Sequence, residues 1–422
     1  MATSPHPRSR VFNMRLTDDE AAQLHSLAER RGYKSTSEFL RDLVGSQTPS
    51  ISSTASKQKV EAPNLFMKTR LGRIYHGDSI GLLSTTLRES SVDLIVTSPP
   101  FGLVKKKAYG NAPADEYLDW FRPFAEGMRR VLKENGSLVI DIGPAWTRGI
   151  PTKSLYQFEL LTMLCREFEF HLAQDFYWWN PCRMPAPAEW VNVRRLRAKD
   201  AVNPIWWLSP TPWPKASNRR VLTGYGKDQQ KLFRNGYNAG KRPSGHVVSA
   251  NWGKDNGGAV PPNLIAAPNT ISDDPYQVYC REKEIEPHPA RFPWALPEFF
   301  IRMLTDQGDL VADPFGGSCL TGAVAEHLKR KWVCGEVIES YLLGAVGRFE
   351  KGNGTRPPRV PQAGYRVPTI SEVNSADADN LLPCGGKDAR AKKKATQEDS
   401  LLVSSSSKSK SSARVHTPRK RS

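Results

Sequence analysis

The sequence predicts an α/β domain, a three-layer sandwich with helices on both faces of a mainly parallel sheet. Two stretches carry that prediction. Residues 309–337, DLVADPFGGSCLTGAVAEHLKRKWVCGEV, read as strand, Gly-rich turn, helix and second strand. Residues 92–101, VDLIVTSPPF, read as a buried strand running into a rigid loop. Leu310, Val311 and Ala312 in the one, and Leu94, Ile95 and Val96 in the other, form short buried strands, and the first stretch is a β–Gly-rich turn–α–β unit. A third observation bounds the domain: composition is globular only from Leu65 to about Phe349.

Taken in chain order, VFNMRL at 11–16 alternates Phe12, Met14 and Leu16 against Asn13 and Arg15, the pattern of a half-buried strand. Thr17 is placed as a helix N-cap with Glu20 at the capping-box position. Leu24, Leu27 and Ala28 form an apolar stripe, Gly32 ends the helix, and Ser35 or Thr36 caps a second helix bearing Phe39, Leu40, Leu43 and Val44. A unit this small cannot bury a core alone. Residues 1–46 are therefore read as a small strand-helix-helix module. Residues 47–64, rich in Ser, Thr, Gln and Lys, are read as a linker, 65–350 as the main domain and 351–422 as a disordered basic tail.

The whole chain carries 60 Lys and Arg against 43 Asp and Glu, a formal net charge of +17, which suits a polyanionic partner such as nucleic acid. No apolar run spans a bilayer, the N-terminus lacks an apolar signal core, and the six cysteines share no C-x-x-C spacing. A reduced, cytoplasmic compartment is expected, with no metal site.

At the end of its strand, Thr97-Ser98-Pro99-Pro100-Phe101 lies where open α/β sheets bind ligands. The two prolines fix the backbone and hold carbonyls in a rigid pose. The Ser98 hydroxyl and a carbonyl near Pro99 are placed to accept the two hydrogens of an exocyclic amino group, and Phe101 offers a flat face for a base. In the other half, Asp313, Pro314, Phe315, Gly316, Gly317 and Ser318 form the turn. Gly316 and Gly317 let the backbone approach a ligand, and Glu336 ends the next strand where an acid can accept from ribose hydroxyls. The turn is neither a GxGxxG fingerprint nor a phosphate loop. S-adenosylmethionine, which has no phosphate and carries ammonium and sulfonium charges, suits its acidic opening residue.

Tyr177 and Trp179, in the aromatic run 176–179, are candidates to stack on a flipped base, since a base must leave the duplex to be modified. Core packing is the equal alternative for each. Residues of about 190–285, with Arg194 and Arg195 followed by further cations among Asn, Gln and Gly, read as a target-recognition region.

TSPPF and DPFGGS resemble the catalytic and cofactor loops of the DNA amino-methyltransferases, and their order in the chain resembles the β group of that family. The sequence departs from the family's cofactor loop at Cys319 and Leu320, where Gly and Thr are usual. The segments EYLDWF, FYWWNP, EWVN, RPSGH, KDNGG and PPNL extend the resemblance over about residues 70–349, toward an N4-cytosine branch with a palindromic target such as CAGCTG. The resemblance implies a Rossmann-like methyltransferase sandwich with a seven-stranded sheet, S-adenosylmethionine as cofactor and double-stranded DNA as substrate. It also implies a restriction endonuclease sharing the site, and cofactor contacts at Asp78 and at Phe292 and Pro293 of HPARFP. A Ser-Pro-Pro loop is typical of N4-cytosine enzymes, while N6-adenine methylation remains the alternative. So does a DNA-binding regulator with an inactive domain. A ring-carbon methylase would need a nucleophilic cysteine, and Cys182 lacks the flanking residues of that family. Residues 10–46 resemble the ribbon-helix-helix DNA-binding family. That implies a homodimer whose paired strands present Asn13 and Arg15 to a major groove.

Overall fold

The computed structural model describes residues 17–30, 33, 35–37, 39–40, 60–102, 112–236, 240–269 and 273–350. The chain divides into two compact units, residues 1–59 and 60–422. In the first, helix α1 (Asp18–Arg30) carries the expected capping box. The Thr17 amide donates to the Glu20 carboxylate at 2.9 Å, and the Glu20 amide donates back to the Thr17 hydroxyl at 3.3 Å. Ala28 and Phe39 are buried, with the Phe39 ring 5.3 Å from Tyr33. Leu27, expected on the apolar stripe, is 43 % exposed. The predicted strand at 11–16, with Asn13 and Arg15, lies outside the described residues, as do residues 47–59 and the tail.

The second unit is built on one sheet. Its strands in chain order are β1 (Asn64–Lys68), β2 (Gly72–His76), β3 (Val92–Thr97), β4 (Leu132–Asp141), β5 (His171–Trp179) and β6 (Val202–Ser209). A separate small hairpin, β7 (Gly240–Lys241) and β8 (Val247–Val248), intervenes before β9 (Leu264–Ala266), β10 (Leu310–Asp313) and β11 (Lys331–Glu336). The spatial order is β1-β2-β11-β10-β3-β4-β6-β5-β9. Neighbours from β2 through β4 are parallel, whereas β6 runs antiparallel to both β4 and β5. The expected seven strands are the inner seven. The short β1 and β9 add one at each edge for a total of nine.

Two apolar layers sandwich this sheet. On one face lie α2 (Tyr117–Val131) and α3 (Tyr156–Arg166). Buried residues of α2 recur at Tyr117, Phe121, Phe124, Ala125 and Met128, a stripe of helical period. After α4 (Lys227–Asn235), which belongs to neither layer, come α5 (Pro275–Glu282), α6 (Ala295–Leu304), α7 (Leu320–His327) and α8 (Glu339–Ala345), which cover the opposite face. Thus α2 follows β3 onto one face and α7 follows β10 onto the other, although β3 and β10 are adjacent. The crevice at such a reversal, beyond the strands' carboxyl ends, is where an open α/β sheet binds its ligand. No helix among the described residues is long and apolar enough to cross a membrane.

Candidate active site

Both predicted loops open into that crevice. Thr97 ends β3 and Asp313 ends β10, and the Thr97 hydroxyl donates to Asp313 Oδ1 at 2.7 Å. Asp313 is 1 % exposed. It also accepts from the Phe315 amide at 3.1 Å and the Thr321 hydroxyl at 2.7 Å. Burial pushes its carboxyl up to about 6 while the hydroxyls pull it down. Its oxygens accept from three donors, and through Thr97 it joins the two loops.

Beyond Asp313, the Phe315 ring packs 5.0 Å from Phe124 and 6.0 Å from Trp120. Gly317 has φ 50 and carries His288 over it, so a Cβ there would lie 3.2 Å from the imidazole. Burial lowers His288 to about 4, so its ring is neutral at pH 7. The Glu336 carboxylate accepts from the Gly317 and Ile338 amides, each at 2.8 Å, and burial raises its pKa. Cys319 takes the left-handed region at φ 52 without being glycine. The strain sits beside a clamp: buried Arg348 donates to the Ser318 carbonyl at 2.8 Å and forks onto Asp274 at 2.6 and 2.9 Å. Pro314 and Gly316 are buried in the same turn.

Asp78 lies just past β2, at the same end of the sheet as Glu336. It is exposed and caps a helical turn at Ser79–Gly81 by accepting from the Ile80 amide at 2.8 Å. Neighbouring bonds tie it to the turn: the Gly77 amide donates to the Glu336 carbonyl, and the Ser79 hydroxyl donates to the Pro314 carbonyl. Phe292 and Pro293 precede α6, with Phe292 packed against the apolar layer on that face.

In the catalytic half, the Ser98 hydroxyl donates to Asp141 Oδ2 at 3.1 Å. The other oxygen of Asp141 accepts from Asn203 Nδ2 at 3.1 Å, and Arg183 donates to Asn203 Oδ1 at 2.6 Å. Burial pushes Asp141 up to about 6, with the Asn203 and Ser98 hydrogen bonds opposing. Pro99 is buried, and the Tyr117 hydroxyl donates to the Pro100 carbonyl at 2.7 Å. A Cβ at Gly143 would run into the Phe101 ring, so glycine there seats Phe101. Tyr156 donates to the Gly143 carbonyl from below.

Asp141, Asn203, Arg183, Tyr117 and Arg348 were not foreseen. Asp141 carried one usable signal, an acid closing the buried run SLVID at a strand's carboxyl end.

The aromatics divide by pleat. Phe176 and Trp178 are buried, and Trp178 stands opposite Asn203. Tyr177 and Trp179 therefore point to the other face from the Ser98–Asp141–Asn203 line. Tyr177 is 39 % exposed and donates to Asp175 at 2.7 Å. Arg194 pairs with Glu189 at 2.7 Å and lies over the Trp190 ring at 5.0 Å, while Arg195 is exposed.

Residues 92–346 match the DNA methylase family. This chain belongs to the DNA methylase family. The match includes both loops and the sheet between them. The type II methyltransferase M.PvuII of Proteus hauseri is 46 % identical over 68 % of this chain and 85 % of its own. M.BglII of Bacillus subtilis is 27 % identical over 66 % and 69 %. Among solved structures, the PvuII DNA methyltransferase (cytosine-N4-specific) matches with TM-score 0.56 and 42 % identity over 69 % of this chain and 92 % of that one. The fold and the two-loop crevice are thus those of a DNA methylase.

Proposed function

We propose that this chain transfers a methyl group from S-adenosylmethionine to the exocyclic N4 amino group of a cytosine in duplex DNA. It would do so as the modification enzyme of a restriction-modification system, with a companion endonuclease reading the same site. One observation carries the reading: Ser98 is held by Asp141 beside a turn that Thr97 and Asp313 lock to it. The cytosine-N4 specificity printed for the PvuII enzyme supports the choice of base, as does the Ser-Pro-Pro form of the loop.

The chain's own residues suit the cofactor. Glu336 is an acceptor-rich acid, His288 is neutral, and the turn lacks a phosphate cradle. Glu336 would hold ribose hydroxyls, Asp78 and Phe292 would lie toward the adenine, and Gly316 to Ser318 would pass along the ligand's length. Bound there, S-adenosylmethionine supplies the electrophilic methyl group. Because the Ser98 proton points at Asp141, lone pairs on Ser98 Oγ are left to accept an amino hydrogen. A loop carbonyl takes the second hydrogen. Pro100 O already receives Tyr117, so Ser98 or Pro99 offers that carbonyl. With both hydrogens drawn out, the nitrogen lone pair is less committed to the ring. The proton released on methylation passes through Ser98 to the Asp141 carboxylate. Phe101, seated on Gly143, supplies the stacking face.

The test is sequencing of DNA from cells expressing the protein, scored for modified bases. N4-methylcytosine that disappears with Ser98→Ala supports the reading, and N6-methyladenine instead would move it to the other amino base. Protection of CAGCTG from cleavage tests the proposed site separately. Full cleavage after treatment would discard that sequence and leave the reaction standing.

A further inference from the structure

The loop joining β5 to β6 presents an apolar tip to solvent. Leu196 is 61 % exposed and Val193 is 69 % exposed. The turn beneath that tip is firmly built. The Leu196 amide donates to the Trp190 carbonyl at 2.8 Å, and Arg197 follows at 3.3 Å. The Arg197 guanidinium pairs with Asp200 at 3.1 Å and lies 5.8 Å over the Trp146 ring. Asp200 takes Lys153 as well, at 2.9 Å. Immediately before Leu196, Arg195 sits in the left-handed region at φ 54. A non-glycine residue adopts that conformation at a cost, and its surroundings must enforce it. Exposed Arg195 adjoins the tip, and Arg194 and Lys199 flank it, Arg194 paired with Glu189 and Lys199 donating to the Arg183 carbonyl at 3.3 Å in the free protein.

The position of this turn matters as much as its build. The loop leaves β5 after Trp179 and enters β6 at Val202, at the same end of the sheet as Ser98. Near its start, Arg183 bonds Asn203, which bonds the Asp141 that holds Ser98. Near its end, Arg197 stacks on Trp146, three residues beyond the Gly143 that seats Phe101. Both arms of the loop are thus fastened to residues around the catalytic loop.

We propose that Leu196 is a wedge that enters the DNA stack and occupies the space left when the target base swings out to Ser98. The inference rests on the base-methylase reading. An amino group inside a duplex is paired, so the base must leave the stack before Ser98 reaches it. The gap it leaves is walled by apolar base faces. An apolar side chain carried between cations that hold the neighbouring phosphates fits it, and similar wedges part base steps in other complexes. An exposed leucine on a rigid turn is costly in the free protein and useful in the bound one.

The experiment compares the full chain with Leu196→Ala and Leu196→Met on duplexes carrying the site that methylation mapping returns. In one duplex the target cytosine faces guanine, and in the other it faces adenine, a mismatch that makes extrusion easier. On the matched duplex Leu196→Ala is expected to lose roughly 10- to 100-fold in kcat/KM, with Leu196→Met close to wild type. On the mismatched duplex the same variant should come within about threefold of wild type, because the unpairing cost is already reduced. Equal loss on both duplexes, or no loss on the matched one, overturns the wedge and leaves the methylase reading intact. A wild-type chain that methylates no duplex removes the parent reading and the wedge with it.

Discussion

On the proposed reaction path, Asp141 should set an acid limit. Its carboxylate must be ionised to draw the Ser98 proton, and burial has pushed it up to about 6. At saturating cofactor and DNA, kcat should therefore fall as pH drops through about 6, and Asp141→Asn should be slow and no longer follow that limb. A wild-type kcat that is flat from pH 5 to 8 would remove Asp141 from the reaction. The linkage to stability has the opposite sense. A carboxyl raised from 3.8 to about 6 contributes stability that is complete below pH 3.8 and lost as pH rises through about 6. The enzyme thus holds at neutral pH a charge that disfavours folding, as expected of a site rather than a scaffold. Ser98 and Asp313 should separate differently. Ser98→Ala removes a contact to the reacting amine, so single-turnover rate should fall more than cofactor affinity. Asp313→Ala frees Thr97, Thr321 and the Phe315 amide at once, so both quantities should fall together. A pure affinity defect in Asp313→Ala would point instead to a direct contact between that acid and the cofactor.

Helix α4 shows what a single element contributes and how far the sequence disclosed it. Gln229, Leu232 and Phe233 lie on its less exposed side, where Phe233 meets Tyr225 at 4.8 Å. Lys227, Lys231 and Arg234 follow at i, i+4 and i+7 on the exposed side. Like charges at that spacing repel and weaken a short helix, and a polyanion would relieve that repulsion. Replacing all three by alanine should lower the magnitude of the salt dependence of DNA binding by about 3 in log K against log salt. An unchanged slope would make the stripe merely a solvated face. The basic character of this region was plain in the sequence, but its separation from Lys215 and Arg220 was not. Those two are spent on Asp306 and Asp309, far along the chain. The same limit applies at the active site. TSPPF and DPFGGS were legible because turn chemistry is local. Ser98 with Asp141 is a contact across 43 residues and Thr97 with Asp313 one across 216, and a single sequence carries no record of such pairings. The insertion of β6 between β4 and β5 was hidden for the same reason.

At the scale of the whole molecule, the boundary between the two units falls at residue 59, with the first structured strand of the second beginning at Asn64. The second unit contains its own apolar layers and both loops, so it should retain the reaction when residues 1–50 are removed. The first unit is different. Its helix α1 leaves Leu27 43 % exposed although Ala28 beside it is buried. A unit this small buries little core of its own. We propose that it packs against a second copy, paired through the strand expected at Val11–Leu16, with Asn13 and Arg15 facing DNA. Removal of residues 1–50 should then halve the sedimenting mass and lower the salt slope of DNA binding while leaving kcat unchanged. Sedimentation and binding at two salt concentrations decide it. A mass and a slope that both stay as they were would mean that the module neither dimerises nor touches phosphate. A lost kcat would mean instead that the catalytic unit depends on it.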